Sequence, residues 1–235
     1  MFGSVMAFAA LAVVACVAGG LWIRNEDVAE TKDATVLVGL VYAIGLIPGV
    51  GLWPVGPAIA LLGTVLVSSF TGRLARWREW FRVGRIDAVS WLMIAAIAAL
   101  SAIALILWQS VLDGRLPPVY QQLTESVSPP VAVAGALGFA IVNGAIEDSI
   151  FFGVLLTPLL RHFPAAPAVI MTAVAFGLAH FNGVPNGVVG VVLAGSWALM
   201  LGYLRMRTGG MLATYLAHVV ADTTIVAILI PPLLV

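Results

Sequence analysis

Five ionisable side chains stand inside long apolar stretches of the sequence, and their types could support acid–base chemistry. They are three acids and two histidines: Glu147, Asp148, His180, His218 and Asp222. An ionised carboxylate near the centre of a bilayer costs about 2.5–3.5 kcal/mol on insertion scales. Three acids and two histidines scattered through an apolar chain would add a large free-energy cost of insertion. Gathered around one water-filled cavity, they could pair and hydrogen-bond with each other.

The spacing of these residues predicts which of them face each other. His218 and Asp222 are four residues apart and would share one face of a helix, as would Asn143 and Glu147. Glu147 and Asp148 are adjacent, about 100° apart around a helix, so they cannot both point squarely at one atom. We expect one of these acids to contact the reacting groups and the other to orient the site.

The depth of the polar groups also indicates a single site. Counted at about 1.5 Å per residue from the helix ends, four groups on three helices lie roughly 12–22 Å deep, at or beyond the membrane midplane. They are Glu147, His180, His218 and Asp222. A single membrane histidine is more often an interhelical hydrogen-bonding group, and a His-x-x-x-Asp pair can merely stabilise a helix. The prediction of a site therefore depends on the set and not on either motif alone.

The composition places these residues in a membrane protein. Of 235 residues, 62% are hydrophobic and 9% are charged, with a mean hydropathy of +1.10. A soluble domain carries about 25% charged residues, because its surface faces water. The net charge of zero and the lack of a basic region argue against a nucleic-acid partner. The single cysteine, Cys16, excludes an internal disulfide.

Apolar runs bounded by charges, prolines and glycines predict the fold class: all-α, a polytopic bundle of about eight transmembrane helices. Pro48, Pro54 and Pro57 interrupt the apolar stretch between the second and third helices, where a tight turn and a kinked re-entrant pair both fit. Small residues at every fourth position of the seventh helix predict close helix packing. The predicted spans are 2–23, 34–51, 54–70, 88–112, 130–160, 165–182, 186–204 and 210–232.

The distribution of basic residues predicts the topology. With eight spans, ten of the eleven Lys and Arg residues fall in loops on one side, which places both termini outside the cytoplasm. The basic loop 71–87 is predicted to be an interfacial helix, in which Leu74, Trp77 and Phe81 share one face. A juxtamembrane loop with ordinary aromatic anchors is the alternative. The expected location is the plasma membrane of a prokaryote.

Three segments of the C-terminal half resemble the motifs of a known family of intramembrane proteases, the CAAX-protease and bacteriocin-processing (CPBP, or Abi) family. The family motifs are Glu-Glu-x-x-x-Arg, Phe-x-x-x-His and His-x-x-x-Asn/Asp, each on its own helix and in this order. The matching segments are 147–153, 176–180 and 218–222, and the segment 202–210 also looks like the family. The resemblance divides the chain into N-terminal transmembrane helices, 1–129, and a catalytic helical core, 130–235.

Two residues depart from the family pattern. Asp148 stands in place of the second glutamate, and Phe152 stands in place of the arginine. Because the family's acid pair normally has that cation nearby, Asp148 needs another partner or a proton. These departures indicate a divergent member and leave open a catalytically inactive relative that binds membrane peptides.

The resemblance implies an intramembrane endopeptidase of the glutamic type, which cuts a membrane-associated protein near its C-terminus or its lipidated end. Glu147 would activate a water, His180 would hold that water, and His218 would stabilise the oxyanion. Asp148 would orient the site. Asp222 would fix the tautomer of His218, because an ionised carboxylate cannot donate to an oxyanion.

Two alternatives stay open at this stage. His180, His218 and Glu147 could instead hold a catalytic zinc ion, although no His-Glu-x-x-His motif is present and we favour a mechanism with no cofactor. Intramembrane acids and histidines are also proton-relay groups, so a proton-coupled transporter is a further alternative. A transporter would predict inverted repeats, and the ionisable groups here all lie in one half of the chain.

Overall fold

The computed structural model describes residues 29–45, 47, 53–112 and 126–229. Within these residues all regular structure is helical, which confirms the predicted all-α class for this part of the chain. The helices are α1 (Ala29–Gly45), α2 (Val55–Phe70), α3 (Leu74–Trp80), α4 (Ala88–Leu112), α5 (Pro129–Asp148), α6 (Leu156–His162), α7 (Ala165–Ala179), α8 (Gly187–Thr208) and α9 (Leu212–Leu229). A π-helical segment, Ser149–Leu155, joins α5 to α6, and a 3-10 turn, His180–Asn182, follows α7.

The protein is an integral membrane protein, and four of the described helical stretches are long and apolar enough to cross a bilayer. They are Ala88–Val111, Pro129–His162, Ala165–Asn182 and Gly187–Thr208. Val55–Phe70 and Leu212–Ile228 are apolar but shorter. The predicted count of about eight spans is not confirmed. The first predicted span, Cys16 and both termini lie outside the described residues.

Helix α1 begins five residues before the predicted start, because an acid that the prediction treated as a boundary is buried and paired. Asp33 is 1% exposed. Its Oδ1 accepts from Arg73 Nη2 at 2.7 Å, and its Oδ2 accepts from Trp77 Nε1 at 3.3 Å. A buried charge is tolerated when it is paired and hydrogen-bonded. This contact joins α1 to the start of α3.

The predicted basic helix in loop 71–87 forms as α3, but its aromatic face packs on the protein. Trp77 and Trp80 are buried, with their rings stacked at a centroid distance of 5.2 Å, whereas Leu74 is exposed. Phe81, just after α3, lies against Gly153, where a Cβ would come within 3.0 Å of its ring. Trp77 and Phe81 stack on each other at a centroid distance of 5.7 Å, so these two residues of the predicted face lie together, and the protein covers Trp77.

The segment after α3 lies along the turn between α8 and α9 and fixes the start of α9. The amide of Arg85 donates to the carbonyl of Thr208 at 2.9 Å, and the amide of Met211 donates to the carbonyl of Arg82 at 2.7 Å. Gly84 and Gly210 meet so closely that a Cβ on Gly210 would lie 2.0 Å from Gly84 N. Helix α9, which carries His218 and Asp222, therefore begins at a fixed contact.

Helices α7 and α8 pack closely through small residues, as the sequence predicted for the seventh span. A Cβ on Gly177 of α7 would lie 2.5 Å from the carbonyl oxygen of Val191 on α8. A Cβ on Gly202 would lie 2.6 Å from Val169. The four residues of the predicted small-residue stripe are all buried: Gly190, Ala194, Ala198 and Gly202.

We expect Gly177→Ala to lower the free energy of unfolding by roughly 1–3 kcal/mol, because the new methyl group has no space beside the α8 backbone. Gly135→Ala is the matched control, since no described residue lies within 4 Å of a Cβ at that helical position. The control should be neutral or slightly stabilising. Thermal unfolding of the two variants in detergent checks this, and equal midpoints would contradict the packing described.

Candidate active site

His218 lies at the centre of a buried cluster of three carboxyl groups. Its Nδ1 is 2.7 Å from Asp148 Oδ1. Its Nε2 is 3.3 Å from Glu147 Oε2 and 3.7 Å from Asp222 Oδ2. An imidazole N–H donates and a carboxylate accepts, so Nδ1–H donates to Asp148. The other ring nitrogen is left facing Glu147 and Asp222.

The end of α5 brings two adjacent acids to the same ring. Glu147 and Asp148 are the last residues of α5, and the π-helical segment follows them directly. Such segments occur frequently at functional sites. Gly144, one turn earlier, allows the ring to lie against α5, because a Cβ there would be 3.4 Å from His218 Cγ. Both acids face His218, one at each ring nitrogen, and the orienting contact predicted for Asp222 is made by Asp148.

Asn143 and Trp53 join this cluster, and the sequence analysis did not assign either of them to the site. Asn143 Nδ2 donates to Asp222 Oδ2 at 2.9 Å, and Trp53 Nε1 donates to Asn143 Oδ1. The Asn143 side chain also lies close enough to Glu147 to interact with its carboxylate. The helical spacing of Asn143 and Glu147 was the signal for Asn143. Trp53 precedes α2, and no helical spacing relates it to the other site residues.

His180 is placed at the edge of the cluster by an aromatic contact. Its ring stacks on Phe176 at a centroid distance of 4.5 Å, and its Nδ1–H donates to the Phe176 carbonyl at 2.9 Å. With Nδ1 as the donor, Nε2 carries the lone pair in the neutral ring. Phe176 in turn meets His218 at 6.2 Å, so one aromatic ring contacts both histidines. The edge-to-face ring of Trp197, 4.7 Å away, closes another side of His218.

Phe152, which stands where the family motif has an arginine, is part of the aromatic core. Phe152 is fully buried, and its ring stacks against Phe176 at 6.2 Å. A different arginine supplies positive charge near the acids. Arg205 of α8 is buried, donates from Nη2 to the carbonyl of Trp80 at 2.9 Å, and interacts electrostatically with Asp148. The cation near the acid pair therefore comes from another helix.

The side chains predicted as alternative zinc ligands lie within this cluster and at its edge. Within the described residues, no three His, Cys, Asp or Glu side chains are arranged to hold one metal ion. Phe176 contacts both histidine rings, and both ring nitrogens of His218 already face carboxyl groups. The zinc set of His180, His218 and Glu147 therefore remains an untested alternative.

Residues 129–224 match the sequence model of a family described as Rce1-like, type II CAAX prenyl endopeptidase. This part of the chain is similar to the CAAX protease family. The match covers about two fifths of the protein, from the first residue of α5 into α9, and includes all five candidate site residues. Searches of curated proteins and of solved structures gave no match. The CAAX-protease segment confirms the resemblance found from the motifs, while the roles of its individual residues stay predictions.

Within the CAAX-protease segment, we expect Asp148→Ala to lower the free energy of unfolding more than Asp148→Asn. Alanine leaves the buried Nδ1–H of His218 without an acceptor, whereas asparagine keeps an oxygen of similar position. The difference should be about 1–3 kcal/mol, the cost of an unsatisfied buried polar group. Chemical or thermal unfolding in detergent measures it, and equal stability of the two variants would show that the 2.7 Å contact contributes little.

Proposed function

We propose that the protein is an intramembrane endopeptidase that hydrolyses a peptide bond of a membrane-associated protein, lipidated or anchored near its C-terminus. One observation carries this proposal. The carboxyl oxygen Oε2 of Glu147 is buried, has no hydrogen-bond partner among the described residues, and lies 3.3 Å from His218 Nε2. A buried acceptor beside an imidazole nitrogen, within a segment of a protease family, suits a water-activating base.

The first chemical step would use Glu147 and His180. Glu147 accepts a proton from a water molecule as the water oxygen bonds to the scissile carbonyl carbon. The lone pair of His180 Nε2 accepts a hydrogen bond from the same water and directs it. As the tetrahedral intermediate collapses, the carbon–nitrogen bond breaks and the proton held by Glu147 passes to the leaving amine. No further reactant is required.

His218 would stabilise the oxyanion that forms in this step. In its doubly protonated form it donates from Nδ1 to Asp148 and from Nε2 toward the carbonyl oxygen. The surrounding carboxyl groups compensate its charge in a medium of low dielectric constant. Stabilisation of the oxyanion by a fixed donor is usually the largest single contribution to such catalysis, and loss of one donor costs about 10²–10³ in rate.

The test compares new N-termini and C-termini across the membrane proteome of cells that express the wild type or Glu147→Gln at matched levels. We expect specific ends to appear only with the wild type, because glutamine cannot accept the proton. Glu79→Gln is the matched control, since Glu79 is exposed and pairs only at the surface with Arg161. This control should give the wild-type pattern.

Identical proteomes for the wild type and Glu147→Gln, with both proteins folded, would overturn the proposal. The buried Phe152 would then favour the inactive peptide-binding relative. Proton flux in reconstituted vesicles that is lost in Glu147→Gln would favour the transporter instead.

The proposed mechanism uses no metal, and a chelator tests that part separately. Purified protein treated with 1,10-phenanthroline and desalted should keep its full peptidase rate on a peptide that the untreated protein cuts. The zinc alternative predicts loss of the rate and its return on addition of zinc. A stable rate after chelation and an equal rate after zinc addition are the results expected.

The proposal includes the orientation predicted from the basic residues, with both termini outside the cytoplasm of a prokaryotic cell. Single cysteines at positions 115 and 207, in a Cys16→Ser background, report it by labelling with a membrane-impermeant maleimide. Arg115→Cys should react in intact cells and Arg207→Cys only after lysis. Labelling of Arg207→Cys in intact cells would show that the predicted orientation is wrong.

A further inference from the structure

Three side chains from separate parts of the chain form a hydrogen-bonded series that ends at the site. Trp53 precedes α2, Asn143 lies on α5 and Asp222 lies on α9. The indole N–H of Trp53 donates to Asn143 Oδ1, and Asn143 Nδ2 donates to Asp222 Oδ2 at 2.9 Å. Asn143 and Asp222 are both buried. Trp53 lies outside the segment that matches the protease family.

The chemistry of the three groups fixes the direction of the series. An indole nitrogen can only donate, so the atom of Asn143 that faces Trp53 must be the amide oxygen. The NH₂ group of Asn143 is then turned toward Asp222 and Glu147. If the indole N–H were absent, Asn143 Oδ1 would lose this donor, and the amide would be held only by the contacts of its NH₂ group.

The position of Asp222 shows what this amide does for His218. Both residues lie on one face of α9, four positions apart, and their side chains can approach directly. Asp222 Oδ2 nevertheless stays 3.7 Å from His218 Nε2, while it accepts from Asn143 at 2.9 Å. The amide therefore competes with the imidazole for this carboxyl oxygen. Without the amide, Asp222 would close on Nε2, the ring nitrogen that faces Glu147.

We propose that Asn143 is a positioning residue that holds Asp222 away from His218 Nε2, and that Trp53 keeps the Asn143 amide in the orientation required. This inference rests on the proposed function, because Nε2 is the atom assigned to the oxyanion. It adds a residue from the N-terminal helices to a site otherwise built from the family segment. It also assigns to the Asp222 position a contact that the motif alone does not predict.

The experiment measures kcat and KM on a peptide that the wild type cuts and Glu147→Gln does not, together with the thermal unfolding midpoint. Asn143→Leu should reduce kcat by roughly 100-fold and Trp53→Phe by roughly tenfold, the range found for residues that orient a reacting group. KM should stay near the wild-type value. Trp80→Phe is the matched control, because it also removes a buried indole N–H, but one that no described residue accepts. Its kcat should equal that of the wild type.

Two double variants separate this role from a merely structural one. Trp53→Phe should add no further loss in the Asn143→Leu background, because Trp53 acts through Asn143. Asp222→Asn in the same background should recover kcat by about tenfold or more, since a neutral amide is not drawn to the imidazole as a carboxylate is. A purely structural loss at Asn143 would show no such recovery.

The outcomes distinguish the two proposals. If the wild type cuts peptides and Asn143→Leu has a wild-type kcat, or if Asp222→Asn gives no recovery, the positioning role is wrong and the protease function stands. If the wild type and Glu147→Gln both fail to cut, the proposed function is wrong and this inference falls with it. If Asn143→Leu does not fold, the kcat of Trp53→Phe is compared with that of Trp80→Phe. Equal kcat values for these two variants would show that the hydrogen-bonded series has no positioning role.

Discussion

The burial of acidic side chains in an apolar bundle is the constraint on which the rest of this structure depends. Glu147, Asp148 and Asp222 are each withdrawn from solvent, and an isolated buried carboxylate is costly. The structure meets this cost by placing one imidazole between all three, with contacts of 2.7–3.7 Å. Asn143 of α5 donates a further hydrogen bond to Asp222. Helices α5 and α9, which carry the imidazole and the three acids, must therefore keep a fixed arrangement for the cluster to persist.

That arrangement is maintained by close backbone packing and by aromatic rings. Gly177 allows α7 to approach α8, and Gly144 allows the His218 ring to approach α5. Phe176 contacts both histidines, so the positions of His180 and His218 are linked through one side chain. Phe152 adds to the same aromatic cluster. The replacement of a motif arginine by phenylalanine thus exchanges a charged contact for packing, while the nearby positive charge comes from α8.

The sequence predicts much of the helical layout and the convergence of the polar groups, because both follow from local regularities. Apolar run lengths predict α4 and the long α5–α6 stretch, and four-residue spacing pairs His218 with Asp222. The contact of Asp148 with His218 Nδ1 was not predictable in this way. An imidazole offers two nitrogens in different directions, so two adjacent acids can face one ring. Trp53 could not be predicted either, since its contact depends on the path of the chain between helices.

The close contact of Gly84 with Gly210 has a consequence for where a peptide would be cut. It fixes the first residue of α9 against the segment that follows α3, at one end of the bundle. His218 follows about 9 Å farther along the helix axis. Because an α-helix is stiff over this distance, the ring keeps a constant distance from that end of the bundle. In the proposed peptidase, a bond would then be selected by its distance from this end of the bundle rather than by the residues that flank it.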